Sequence, residues 1–511
     1  MKAQLFTAVA AGALLAAMPA FAQKSKDTLR VAFAESINSA DVDVDPKPET
    51  SFTGRSVFDS LIYYSADAAA FKPLLAKSWK RVNPTTIEFE LRDDIKWHDG
   101  EPFDADDVVF TIKHVLDKKV KYRFKRNTLF IKNAEKLGKY KVRLTSKKLN
   151  PVDMARYAVS LRIRPQHAQS KFKNWQDFGR KNPVGTGPYK VVSLDSNKGL
   201  VLERSESYGH GKEAGLSAKI KRIHAIPIPD VQTQVAQMLV GGVDLIKAVP
   251  KDQAEELDKD PRFTMAATQS MVYFYLAFDA AGRTKNKTFT DKRVRKALMM
   301  AVDRESLVKN VIAGGSEVRT IDTPCFPVQQ GCAWTTKPVA YDPVGAKKLL
   351  AEAGFPNGLD FTLSSFSGAH QVSEAVAGQW RKIGVRAKLF RMTFGSYRKR
   401  QRDNKQVALL GRYSSGGLPD ASAITDFYFG GTARDYYHDK VLDGLRLKVK
   451  STMDVNKRKE FFRQAMDRMN NEHIIFPIAT NPAVFVHTAE VKMKKGSLSN
   501  YGVEPTDLSW N

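Results

Sequence analysis

The 511-residue sequence has only two cysteines, Cys325 and Cys332. With no C-x-x-C and no second cysteine pair, neither a zinc ribbon nor a thioredoxin-like redox centre can be assembled. Catalytic signatures are missing too: there is no G-x-S-x-G, no H-E-x-x-H and no Walker sequence. The nine histidines are scattered, and none forms an i, i+4 metal pair. Acidic residues are outnumbered, 55 Asp and Glu against 81 Lys and Arg, giving a net charge of +26. Beyond the N-terminus no apolar run is long enough to span a bilayer. Together these absences point away from an enzyme, a resident cofactor and a metal centre. A glycosidase-type carboxylate pair is not excluded by sequence, but nothing nominates one.

At the N-terminus, Met1-Lys2 is a short basic region and Leu5 to Met18 is apolar. Ala20-Phe21-Ala22 is an A-x-A cleavage site before Gln23. Residues 1–22 therefore read as a secretory signal peptide, and no cysteine at the cut invites a lipid anchor. Export makes a Cys325–Cys332 disulfide the default, closing a short loop. The expected location is the periplasm, as a soluble chain. The positive charge is spread along the sequence, with concentrations at 118–126 and 397–400. In Lys139 to Leu144 it alternates with apolar residues, as on a strand with one wet face. We read solvated faces and no nucleic-acid site. A hydrophobic content of 42% suits two or three folded domains.

The most informative stretch is Leu74 to Phe110. A short amphipathic piece ends at Trp79. Ile87, Phe89 and Leu91 then alternate with Glu88, Glu90 and Arg92 as a half-buried strand. His98-Asp99-Gly100 is a turn. Asp104 is placed to cap a helix whose first turn carries Asp106 and Asp107. Upstream, Asp41, Asp43 and Asp45 have carboxylate spacing, but the EF-hand pattern fails, so 35–53 reads as a polar loop. Val57, Leu61 and Ile62 give residues 54–64 a helix-like spacing. In Asn182 to Lys190, NPVGTGPYK, Pro188 blocks the helix that a phosphate loop would need. Further on, Val272 to Phe278 is a strand. Asp291 opens a helix running to about Arg304, and Asp342-Pro343 opens another.

The phrases LAKSW, RDDIKWHDGEPFDADDVVF, PVGTGPY, DKRVRKAL and YDP…LLAEAGFP, in this order, resemble the extracellular solute-binding proteins of the peptide/nickel class (family 5, dipeptide/oligopeptide-binding-protein-like). These proteins feed ABC importers. The resemblance covers nearly the whole mature chain. It implies an α/β, two-lobed periplasmic binding protein (type II, cluster C) with an extra inserted subdomain. Lobe I would comprise residues 23–57, 183–272 and 483–511, the inserted subdomain 58–182, and lobe II 273–482. Two crossings between lobes would serve as hinges.

The resemblance also implies a non-enzymatic monomer. It would bind a peptide or small molecule, without cofactor or nucleic acid, and deliver it to an ABC permease and ATPase complex in the inner membrane. Peptide binders of the family use an acidic residue for the ligand's ammonium, and dipeptide binders an arginine for its carboxylate. The acidic position matches Asp420, after Tyr413-Ser414-Ser415-Gly416-Gly417; Asp420 as a mere helix cap is the competing reading. The arginine position, in the loop 364–371, holds no arginine but offers His370. Arg412 is an alternative anion partner or a surface charge. Opines, nickel chelates and sugars are alternative solutes. A secreted hydrolase, or a binder of polyanionic surfaces, is the reading from another class.

Overall fold

The computed structural model describes residues 27–45, 47–120, 125–268, 270–494 and 502–511. The signal-peptide reading and residues 121–124 of the basic stretch lie outside them. Three sheets carry the fold. The largest has seven strands in the order Phe263–Thr268, Ala483–Thr488, Leu245–Lys247, Thr28–Phe33, Arg222–Pro227, Gly199–Arg204, Tyr189–Asp195. Its centre is parallel: Thr28–Phe33 runs alongside both Arg222–Pro227 and Leu245–Lys247. A five-stranded sheet has the order Arg386–Met392, Asp360–Phe366, Ala408–Ser414, Val272–Phe278, Ile475–Thr480. A four-stranded antiparallel sheet is built from Ala76–Asn83, Thr86–Leu91, Lys141–Ser146 and Ile131–Gly138.

The chain passes from the seven-stranded to the five-stranded sheet between Thr268 and Val272, and returns between Thr480 and Ala483. The two crossings lie side by side: Asn481 N–H donates to Val272 O at 2.9 Å, and Ser270 Oγ to Asn481 O at 2.8 Å. Two short adjacent crossings are the arrangement in which a few dihedrals suffice to absorb a rotation of one half against the other.

Each half has its own core. Around the five-stranded sheet, Phe278, Phe289, Phe361 and Trp380 pack ring against ring within one cluster. The fully buried Trp380 indole donates to Leu298 O at 2.8 Å, so its one polar group is satisfied. The other core is shared by the seven- and four-stranded sheets, from Leu29, Phe33 and Phe52 through Phe89 and Tyr157. Lys141–Ser146 alternates as the sequence pattern required, burying Val142, Leu144 and Ser146. Its other face carries Arg143 against Glu88 and Lys141 against Glu90. The cations of this strand are therefore matched locally.

The signature stretch folds around two polar side chains, the buried Asp107 and the half-buried His98. Asp104 caps the helix Ala105–Leu116 in a reciprocal capping box with Asp107. Asp107 also accepts from the Trp97 indole at 3.1 Å and from Gln166 N–H at 2.8 Å. Burial raises its pKa, and these hydrogen bonds oppose the rise. His98 clips the GTGP segment: its Nδ1 accepts from Gly185 N–H at 3.2 Å, and Nε2 lies 2.8 Å from Gly187 O. A Cβ on Gly185 would sit 1.8 Å from Val57 O, and one on Gly187 2.4 Å from Ser56 O. The glycines serve close backbone docking onto the end of the helix Pro48–Val57, in place of any phosphate cradle.

Several elements differ from the sequence reading. The helix expected over 54–64 is Pro48–Val57, started by proline at its first turn, and Ile62–Ser65 is a strand. The piece ending at Trp79 belongs to the strand Ala76–Asn83. The helix after Asp291 ends at Met300, and Asp303 caps a second one, Arg304–Asn310. The acidic loop is closed by Arg164, whose guanidinium binds both Asp41 (2.8 Å) and Asp43 (2.6 Å) with all three side chains buried. Cys325 and Cys332 form the expected disulfide, with Cα atoms 5.7 Å apart.

Candidate ligand cleft

The strand Ala408–Ser414 runs out of the five-stranded sheet into the space between the two halves. Its alternation buries Tyr413 against Tyr273 and Phe427 and leaves Arg412 and Ser414 open. The segment then turns through Gly416 and Gly417, at φ +68° and +81°, conformations that glycine adopts without strain. Two adjoining cavities, of 520 and 540 Å³, flank this strand end and share Ser414. Both are lined from both halves of the molecule.

The 520 Å³ cavity is walled by Lys247 from one half and by Arg412 and residues 367–372 from the other, and Ser270 and Asn481 of the two crossings also line it. His370 begins the helix His370–Arg381, and its buried Nε2 makes no hydrogen bond. The 540 Å³ cavity takes in Tyr413, Ser414, Ser415, Gly416 and a basic wall that includes Arg55, Arg156 and Lys450. Ser415 Oγ is buried there without a hydrogen-bond partner. The structure thus brings Arg412, Tyr413, Ser414, Ser415, Gly416 and His370 to one cleft.

Asp420 stands apart from the cavity walls. It is 1% exposed; Oδ2 accepts from Arg458 Nη2 at 3.0 Å, and Oδ1 from Ser422 N–H at 2.9 Å. The second bond is a cap-like contact at the start of the helix Ser422–Tyr428. Burial pushes the Asp420 pKa up, and Arg458 pulls it back. Arg458 also donates to Pro151 O at 3.1 Å, reaching across to the segment that carries the four-stranded sheet. Neither Arg458 nor Lys247 was singled out in the sequence. Arg458 looks there like one more cation of a basic helix, and Lys247 like the end of a short strand.

Among the described residues no group of three or more His, Cys, Asp or Glu is arranged to hold a metal ion, and no helix is long and apolar enough to cross a membrane.

Comparison with known proteins agrees with this architecture. The chain is 29% identical to the nickel-binding periplasmic protein of Escherichia coli K12 over 461 residues, spanning 84% of this chain and 85% of that one. It is 26% identical to di/tripeptide-binding protein 1 of Pseudomonas aeruginosa UCBPP-PA14, spanning 89% and 87%. The fold superposes on the crystal structure of the ABC transporter substrate binding protein CtaP from Listeria monocytogenes, with a TM-score of 0.81 at 22% identity, covering 94% and 99%. Residues 70–436 match the profile of the bacterial extracellular solute-binding proteins, family 5 Middle. The chain is therefore a family 5 extracellular solute-binding protein, the non-catalytic solute-capturing component of an ABC importer.

Proposed function

We propose that the chain works in the periplasm as a monomer. It captures a peptide or peptide-like solute between its two lobes and delivers it to a membrane permease and ATPase complex. The observation that carries this reading is the composition of the cleft. One wall is an emerging strand end with serines, glycine backbone and an arginine, suited to hydrogen-bonding an extended solute. Closure of the lobes would couple occupancy to transporter recognition, because only the closed form presents both lobes in a fixed relation. Asp420 is the proposed ammonium acceptor, reached when the solute's cation takes the place of Arg458.

A second reading has its own support. Asp420 is already neutralised by Arg458, so an anionic solute without an ammonium group, such as a metal chelate or an opine-like conjugate, fits with no such exchange. Mass spectrometry of the solute released from denatured protein, followed by a thermal-shift screen of peptides, opines and chelates, separates the readings. A peptide-dependent shift that vanishes in Asp420→Ala supports the first. A shift that persists in Asp420→Ala sinks the ammonium role. Chemical turnover of the released solute would sink both.

A further inference from the structure

The cavity wall at the Lys247 end of the cleft is basic. Its 520 Å³ cavity is lined by Lys247, Arg412 and His370, with no aspartate or glutamate in its wall. Among the described residues Arg412 makes no ion pair and no side-chain hydrogen bond, and its guanidinium lies 5.8 Å from the Phe366 ring. The guanidinium is reachable through the cavity mouth, yet the surrounding protein lowers its pKa. The helix His370–Arg381 starts at the same wall with no side-chain cap and no acidic residue in its first turn, so its dipole adds positive potential.

Lys247 faces this wall from the other half of the molecule, at the end of the strand Leu245–Lys247. Its ammonium lies over the Phe485 ring at 5.8 Å. Burial pushes its pKa down to about 7; Glu49 on the helix Pro48–Val57 opposes the fall, and Arg412 across the cleft adds to it. The charged and titratable groups that face Lys247 include Glu49, Arg412 and, on the far wall, His370.

We infer that Lys247 and Arg412 form a cross-lobe clamp in which one carboxylate of the solute is shared between the two lobes, so that closure depends on that anion. This rests on the reading that solute binds between the lobes, and adds what draws them together. With the cleft empty, two like charges on opposite lobes resist closure. A carboxylate between them turns that repulsion into two charge-assisted contacts, one from each lobe. Because the Lys247 ammonium must be protonated to take part, binding of a carboxylate weakens as pH rises through about 7.

The test is calorimetric titration of the mature protein at pH 6 and pH 8 with millimolar Ala-Ala, its C-terminal amide, glutathione, citrate and nickel–histidine. The carboxylate-bearing probes that bind should do so more weakly at pH 8. Lys247→Gln and Arg412→Gln should each cost about 10- to 100-fold in affinity, the range of a lost charge-assisted hydrogen bond. Lys247→Gln should also flatten the pH dependence, and Lys247→Arg should restore tight binding at pH 8. Scattering should show the wild type compacting with the bound probe and Lys247→Gln failing to. The free acid and its amide binding equally would overturn the clamp and leave binding between the lobes standing. Unchanged affinity in both Gln variants would do the same. No carboxylate binding at all would overturn the clamp as well.

Discussion

Arg458→Met isolates the energetics of the Asp420 pair. Both side chains are almost wholly buried, 2% and 1% exposed, and they meet at 3.0 Å. Removing the guanidinium leaves a carboxylate in the interior, a class of change that costs about 3–5 kcal/mol. The carboxylate can escape by taking up a proton. From a reference pKa of about 3.9, protonation costs about 4 kcal/mol at pH 7 but only about 1.5 kcal/mol at pH 5. The loss of stability in Arg458→Met should therefore shrink by about 2–3 kcal/mol between pH 7 and pH 5. Adding Asp420→Asn should recover most of the pH 7 loss, because a neutral amide keeps an acceptor for Ser422 N–H. Urea unfolding of wild type, both single variants and the double variant at the two pH values closes the cycle. The reasoning fails if Arg458→Met loses equally at both pH values, or if the double variant is no more stable than the single one.

Other consequences are as specific. Gly185→Ala forces a Cβ to within 1.8 Å of a backbone carbonyl and should destabilise by at least about 1–3 kcal/mol, whereas Gly100→Ala, with open space around it, should cost only its backbone strain; thermal melts compare them directly. His98 accepts from Gly185 N–H, so its proton sits on Nε2 and a second proton is disfavoured; burial lowers its pKa below 6.5. Stability held above pH 6.5 should be lost as pH falls through the folded-state value, and an NMR titration midpoint at or above 6.5 would contradict this. Reducing the Cys325–Cys332 bridge, which spans seven positions, should cost about 2–3 kcal/mol by loop entropy; unchanged unfolding under reductant would show that the native contacts alone fix the loop.

How much was legible depended on how local the cause was. The Asp104 cap, the strand at Ile87 to Leu91 and the strand Val272–Phe278 follow from side chains within a few residues of one another, and each stands where periodicity put it. Pro48 was an overlooked start signal, and the apolar Leu61 and Ile62 drew the expected helix too far downstream. The need for Gly185 and Gly187 was not legible, because the carbonyls they avoid belong to residues 56 and 57. At the cleft, the loop after the strand Ala408–Ser414 was readable as a pattern, but Lys247 and Arg458 gain their meaning only from partners in the other half or far along the chain.

The strand order also governs how the chain completes itself. Phe263–Thr268 touches its sheet only through Ala483–Thr488, which lies between it and Leu245–Lys247. That keystone follows all of residues 272–480 in the chain, so the seven-stranded sheet stays open until the chain has passed through the five-stranded half and back. The five-stranded half is contiguous in sequence and can assemble first. The fold thus leaves its most non-local pairing, and the loop-closure entropy that goes with it, to a late step.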